Sequence, residues 1–400
     1  MVDARWSLLI VLAIACGPVI PPLPSRGGPA WFELKSEHFI LWTDASAARG
    51  RELVRQMEHH RQIVMRVMNN VPSKVRSFVI ALRNAREVAA YLPKQFSALA
   101  WGARGPTRQP GILLASDTQA REHAINHELT HVISSGIFAN QPHWFAEGLA
   151  TYFETAELEP GATHVKVGLP REDHASFLLT SAPRSAAELF ACEEQRCMDE
   201  AFYATSWALF SFLVNEHTDQ LIYYLRRMQE VPENKQAELW RDVFPELSPD
   251  KLDHLLKQWL VSGNLAMPLV EVNVQDFPAT ERQLGDGDVL AARSLLDVIF
   301  TRDSSAMRAN LAAALAIDGT NVLARLVQAA LTNSITPDDA RATAAAHPDD
   351  WRAWWLVGFA VRNGPEATEA LDKLCALAAN EAPECAHLAD HRGAAHGSSK

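Results

Sequence analysis

No apolar run in this chain reaches the roughly 20 residues that a helix needs to cross a bilayer, so no spanning helix is expected. Basic residues are outnumbered: 37 Lys and Arg stand against 48 Asp and Glu, and the formal net charge of −11 argues against nucleic acid as a partner. Cysteine is sparse, with five in 400 residues, and no cysteine pair has a second pair or a histidine at ligand spacing, which excludes a cysteine-built zinc site. What remains is ordinary globular composition, 48% hydrophobic, at a length that suggests two or three domains.

Against that background one pentapeptide stands out: His127-Glu128-Leu129-Thr130-His131, an H-E-x-x-H pattern. Residues 118–133 contain neither Pro nor Gly, and Gly136 follows as a stop signal, so the pattern is predicted to lie on a helix. Histidines four apart share one helical face and can reach one metal ion. Glu128 can stand beside a metal-activated water as general base. His123 extends the stripe, but at 1.5 Å rise per residue it lies roughly 12 Å from His131, too far to share an ion. It reads as an outer group or a solvated residue, and His59, His60 and His143 read as surface positions.

Shortly after the motif, Pro142 opens a second helical stretch in which Glu147 sits among Trp144, Phe145, Leu149, Tyr152 and Phe153. A carboxylate in such company is costly unless a cation meets it. A zinc ion held by His127, His131 and Glu147 is one such partner and leaves an open fourth position. Two core histidines with Glu147 as their salt-bridge partner are the other reading.

The constellation resembles the gluzincin zinc metallopeptidases, and Trp144-Phe145-Ala146-Glu147-Gly148-Leu149-Ala150 resembles the W-x-x-E-G-x-A segment of aminopeptidase N-type enzymes and of the bacterial peptidase MA-like families. The 16 positions from His131 to Glu147 favour the MA-like group. The resemblance covers about residues 31–265. It implies one Zn2+ per chain on His127, His131 and Glu147, a thermolysin-like α+β catalytic domain, Glu128 as the catalytic base and a peptide or protein as substrate. It also implies that strand 111–115 is an exposed edge able to pair with an extended peptide. Tyr203, in Tyr203-Ala204-Thr205-Ser206, matches a Y-x-x-S pattern whose tyrosine donates to the developing oxyanion; core packing beside Phe202 and Trp207 is the alternative. The G-x-M-x-N exopeptidase segment has no counterpart before the motif helix, which leans towards an endopeptidase.

The N-terminus reads as an export signal over residues 1–15, with an uncharged stretch from Trp6 to Ala15. Leu12-Ala13-Ile14-Ala15-Cys16 resembles a bacterial lipobox, which implies acylation of Cys16, a lipid anchor in the membrane and a place on the periplasmic or extracellular side of a bacterial envelope. An ordinary secretory signal with an incidental cysteine is the alternative. Residues 16–30, rich in Pro and Gly, read as a lipidated tether. In an exported setting Cys192 with Cys197, and Cys375 with Cys385, are natural disulfides.

Strands are expected at 31–34, 38–43, 75–82, 111–115 and 163–167, and helices at 44–68, 87–92, 199–215, 219–229 and 248–262, with loop character over 169–183. From about 284 to 392 strand signals vanish and alanine dominates. Steps at Ala324, Ala353 and Ala386, spaced 29 and 33, approach the period of tetratricopeptide repeats. An all-α repeat domain that binds a protein partner and a plain helical bundle both fit, and residues 393–400 form a polar tail. Two functions follow: an envelope-anchored zinc peptidase, or a non-catalytic surface lipoprotein whose helical repeats act as a scaffold. Glu128, which a structural zinc site does not require, favours the enzyme.

Overall fold

The computed structural model describes residues 20–68, 76–93, 96, 98–102, 106–117, 122–138, 140–156, 158, 162–232, 235–263, 267–272, 275–301, 303–378 and 385. The proposed signal and Cys16 lie outside these residues. The first part comprises β1 (Trp31–Lys35), β2 (Phe39–Thr43), α1 (Ala47–Val67), β3 (Ser77–Leu82), α2 (Ala85–Val88), β4 (Ala98–Trp101), β5 (Gly111–Ala115), α3 (Glu122–Ser135) and α4 (His143–Phe153). There follow β6 (His164–Lys166), α5 (Glu172–Thr180), α6 (Ala186–Phe190), α7 (Glu200–Glu216), α8 (Thr218–Met228), α9 (Gln236–Val243), α10 (Pro249–Ser262), β7 (Leu269–Glu271) and β8 (Thr280–Leu284). The chain continues through α11 (Asp286–Leu296), α12 (Ser304–Ile317), α13 (Val322–Thr332), α14 (Pro337–Ala346), α15 (Trp351–Val361) and α16 (Pro365–Ala378). The fold is mixed α+β.

Six strands form one sheet in the order β4-β5-β3-β2-β1-β8, in which β2, β3 and β5 are mutually parallel and the others antiparallel to their neighbours. The parallel strands Phe-Ile-Leu-Trp-Thr, Ser-Phe-Val-Ile-Ala-Leu and Gly-Ile-Leu-Leu-Ala are buried throughout. Successive side chains point to opposite faces, so an unbroken apolar strand requires cover on both. On one face Phe39, Leu41, Val79, Ile112 and Leu114 meet α1 and α3. On the other Ile40, Trp42, Phe78, Ile80 and Leu113 meet α11, α12 and α13.

This packing corrects several expectations. The expected division near residue 284 does not coincide with a break: β8 completes the sheet, and the first three helices beyond it form the sheet's second cover. The remaining helices continue as antiparallel hairpins with an alanine-rich interior that includes Ala329, Ala340, Ala344, Ala353 and Ala370. The described part of the tether is held against α11: Arg293 donates to the Pro21 carbonyl at 2.6 Å, and Ser25 bonds Asp286. Strand β5 is interior; β4, which lacks the β-branched pattern of a strand, is the edge. The stretch expected as loop carries α5, whose first turn holds Glu172 and Asp173, where acidic groups favour a helix start. His60 is buried rather than solvated, on the same stripe of α1 as Met57 and Val64.

A second lobe, α4 to α10, surrounds an aromatic core of Trp144, Phe145, Phe190, Tyr224, Trp240 and Phe244. Helices α4 and α7 pack closely, and Gly148 permits it: a Cβ there would stand 2.5 Å from the Ser206 carbonyl oxygen. Cys192–Cys197 and Cys375–Cys385 are joined as disulfides, the first just ahead of α7.

Candidate metal centre

Helix α3 places the His127 and His131 rings on one face, and α4, entered through Pro142 in extended conformation, runs back across it with Glu147. The two Nε2 atoms are 3.1 Å apart, and each lies 3.2 Å from the same Glu147 Oε2. Among the described residues this is the one group of three or more His, Cys, Asp and Glu side chains whose ligand atoms converge. A tetrahedral ion with bonds of about 2.0–2.1 Å has ligand-to-ligand edges of about 3.3 Å, so the triangle fits a zinc-class cation with little rearrangement.

The donor chemistry fits as well. His127 Nδ1 lies 3.1 Å from Glu154 Oε2, so a proton on Nδ1 is held by that carboxylate and Nε2 can be presented bare, the tautomer a metal ligand needs. Burial pushes the His127 imidazole down, but hydrogen bonds to Glu147 and Glu154 and the charges of Glu147 and Glu128 lift it to about 10. Burial likewise pushes Glu147 up, yet His131 and His127 hold it well below the usual carboxylate range. Without a cation, a proton on the His127 imidazole takes its place.

Glu128 follows the first histidine and turns towards the sheet edge, where its Oε2 accepts the Ala100 amide at 3.0 Å. The base candidate and the outward-facing amide of edge strand β4 therefore meet directly. Tyr203 sits on the site side of α7, half-buried, its ring 6.2 Å from that of His127, while Phe202 and Trp207 beside it face the core. Burial and the charges of Glu147 and Glu128 raise its hydroxyl pKa, so it remains a donor. Tyr152 is core, packed under Gly168. His123 is exposed and meets the Glu154 carbonyl at 3.0 Å. An open cleft of about 930 Å³ begins there, lined by His123, Thr155, Leu169, Pro170, Arg171 and Ser176.

Two nearby carboxylate and imidazole groups escaped the sequence reading. Glu154 lies seven residues after Glu147, two helical turns along the same face, a signal the sequence carries. His174, on α5, had none. His60 supports the motif helix from behind: Thr130 donates its hydroxyl to the Asn126 carbonyl at 2.7 Å, so the 2.9 Å contact from His60 Nε2 must be a donation by the ring. Burial pushes that imidazole down to about 4. No curated protein matches the chain. Residues 122–233 match a family described as "Protein of unknown function (DUF1570)", a stretch that contains His127, Glu128, His131, Glu147, Glu154, His174 and Tyr203.

Proposed function

We propose that the protein is a zinc-class metallopeptidase acting on peptide or protein substrates at the edge of its large sheet. The observation that carries this reading is the near-equilateral triangle of His127 Nε2, His131 Nε2 and Glu147 Oε2 with Glu128 beside it on the same helix. A zinc-class cation held by these three residues supplies Lewis acidity towards a carbonyl oxygen and lowers the pKa of water.

The chain's own groups supply the rest. An extended substrate adds to β4, taking the outward-facing Ala100 amide that Glu128 otherwise holds. Displacement frees the Glu128 carboxylate to accept the proton of the attacking water and to deliver it to the leaving nitrogen. Tyr203 donates its phenolic proton towards the oxygen on which charge develops. Glu154 keeps His127 in the Nδ1–H tautomer. Anchorage through acylated Cys16, and partner binding by the helices after α13, belong to the same proposal.

Metal analysis and a quenched-peptide library test it. Wild-type protein should hold about one zinc per chain and cleave peptides. Glu128→Gln should keep the metal and lose about 10²- to 10⁴-fold in turnover; Glu147→Ala should lose the metal. Wild-type protein that retains no zinc after dialysis against it refutes the proposal.

A further inference from the structure

His174 is a buried imidazole outside the ligand set, and its surroundings are incomplete. Among the described residues its Nδ1 has no hydrogen-bond partner, and neither does Glu154 Oε1; the two atoms face each other 3.7 Å apart, beyond hydrogen-bonding reach. Two buried, unpaired polar atoms of complementary type at that distance are costly as they stand and are satisfied together by closing about 1 Å. The other oxygen of the same carboxylate, Oε2, is already committed to His127 Nδ1 at 3.1 Å. On its flat side the His174 ring lies parallel to Tyr203, 5° between planes and 6.5 Å between centroids. Helix α5 thus brings one side chain against both the group that orients a metal ligand and the candidate oxyanion donor.

We propose that His174 is a positioning residue of the metal centre, its Nδ1–H anchoring Glu154 Oε1 so that Oε2 stays aimed at His127, with the ring seating Tyr203. This rests on the metallopeptidase reading above. The chain His174–Glu154–His127 is in series: the outer donor acts on the cation through the carboxylate and the inner imidazole. An unanchored Glu154 can turn about its terminal torsion and release the His127 tautomer. Loss of an outer partner of a ligating histidine commonly weakens metal binding 10- to 100-fold.

The two roles of the ring separate by substitution. His174→Phe keeps a flat ring against Tyr203 and removes the donor. His174→Asn keeps an N–H near the Nδ1 position and removes the ring. Zinc dissociation constants from competition with a chromophoric chelator give a readout independent of turnover. His174→Phe should weaken zinc about 10- to 100-fold, and His174→Asn should bind within about threefold of wild type. In a Glu154→Gln background, His174→Phe should cost less than about twofold more, because the groups act through one another. His174→Asn, with the seat of Tyr203 lost, should lower kcat while leaving KM and zinc affinity near wild type. Should Phe not fit, the smaller His174→Leu removes the same donor and is read the same way. Wild-type affinity in His174→Phe, equal losses in Phe and Asn, or additive losses with Glu154→Gln overturn the proposal. Wild-type protein that binds no zinc overturns the metal-centre reading itself, and the proposal with it.

Discussion

Gly148→Ala tests the geometry of the site without touching any group in it. The new methyl would lie 2.5 Å from the Ser206 carbonyl oxygen, 3.0 Å from its carbon and 3.1 Å from Phe210 Cβ. Close C···O contacts in proteins fall near 3.3 Å, so α4 and α7 must separate by about 0.8 Å. The obstructing atoms are backbone and Cβ of a helix interior, and no side-chain rotation relieves them. Alanine in a helix interior gains about 1 kcal/mol over glycine, whereas overpacking typically costs about 1–3 kcal/mol. Gly358, inside α15, isolates the first effect, because a methyl added there would meet nothing within 4 Å. Gly358→Ala should therefore be more stable than wild type by about 1 kcal/mol, and Gly148→Ala less stable by up to about 2 kcal/mol. Because α4 carries Glu147 and α7 carries Tyr203, the same separation should lower kcat/KM by about 100-fold. Calorimetric unfolding and peptide hydrolysis measure the two effects. A Gly148→Ala protein as stable as Gly358→Ala refutes the claim that backbone contact sets the helix spacing.

Three further outcomes are expected. Tyr203→Phe should lower kcat about 100-fold with zinc content and melting temperature unchanged; unaltered turnover in steady-state assays assigns the ring to packing. His60 is held neutral when folded, with its pKa at about 4 against the ordinary 6.5, so between those values the unfolded chain binds the extra proton. Its contribution is complete above pH 6.5 and lost as pH falls to 4, at most about 3 kcal/mol over the span at about 1.4 kcal/mol per pH unit. His60→Gln, which keeps a donor for Thr130, should flatten that limb of the stability-versus-pH curve measured by denaturant titration. Cys16→Ser should release the protein from membranes or block its maturation in a fractionated exporting host, and wild-type mature protein found wholly soluble there contradicts the anchor.

The legible parts of the site are those whose geometry is local. His127, His131 and the position of Glu128 follow from helical spacing, and Glu147 stands out because a carboxylate among aromatics needs an explanation. Glu154 is legible in the same way, on the same face of α4, but its role depends on where its carboxylate points. His60 shares the stripe of Leu53, Met57 and Val64, so its burial is written in the periodicity of α1, hidden by the neighbouring Glu58 and Arg61, charged residues that are themselves buried. By contrast β4, Ala-Leu-Ala-Trp, has little intrinsic strand preference and is a strand because β5 pairs with it. His174 reaches Glu154 only because α5 docks on α7, a contact that no spacing encodes.

The uniform burial of β2, β3 and β5 bears on how the two readings of function relate. A peptidase domain ending at residue 265 would expose Ile40, Trp42, Phe78, Ile80 and Leu113 on the sheet's second face and lose β8 from its edge. Helices α11 to α13 cover that face, and the opposite face carries α3 with the two histidines. The strands that support the candidate metal centre are therefore held in place by the region whose sequence suggests a separate repeat module. A partner acting on α11, α12 or α13 would press on the back of the sheet whose edge amide meets Glu128. The hairpins from α14 onward share a core with α13 and, among the described residues, none with the sheet, although Arg108 between β4 and β5 stacks on Trp355 of α15. The two regions are thus not separable halves: the first three helices cover the back of the sheet whose other face carries the candidate site, and a partner-binding function has to be sought beyond them.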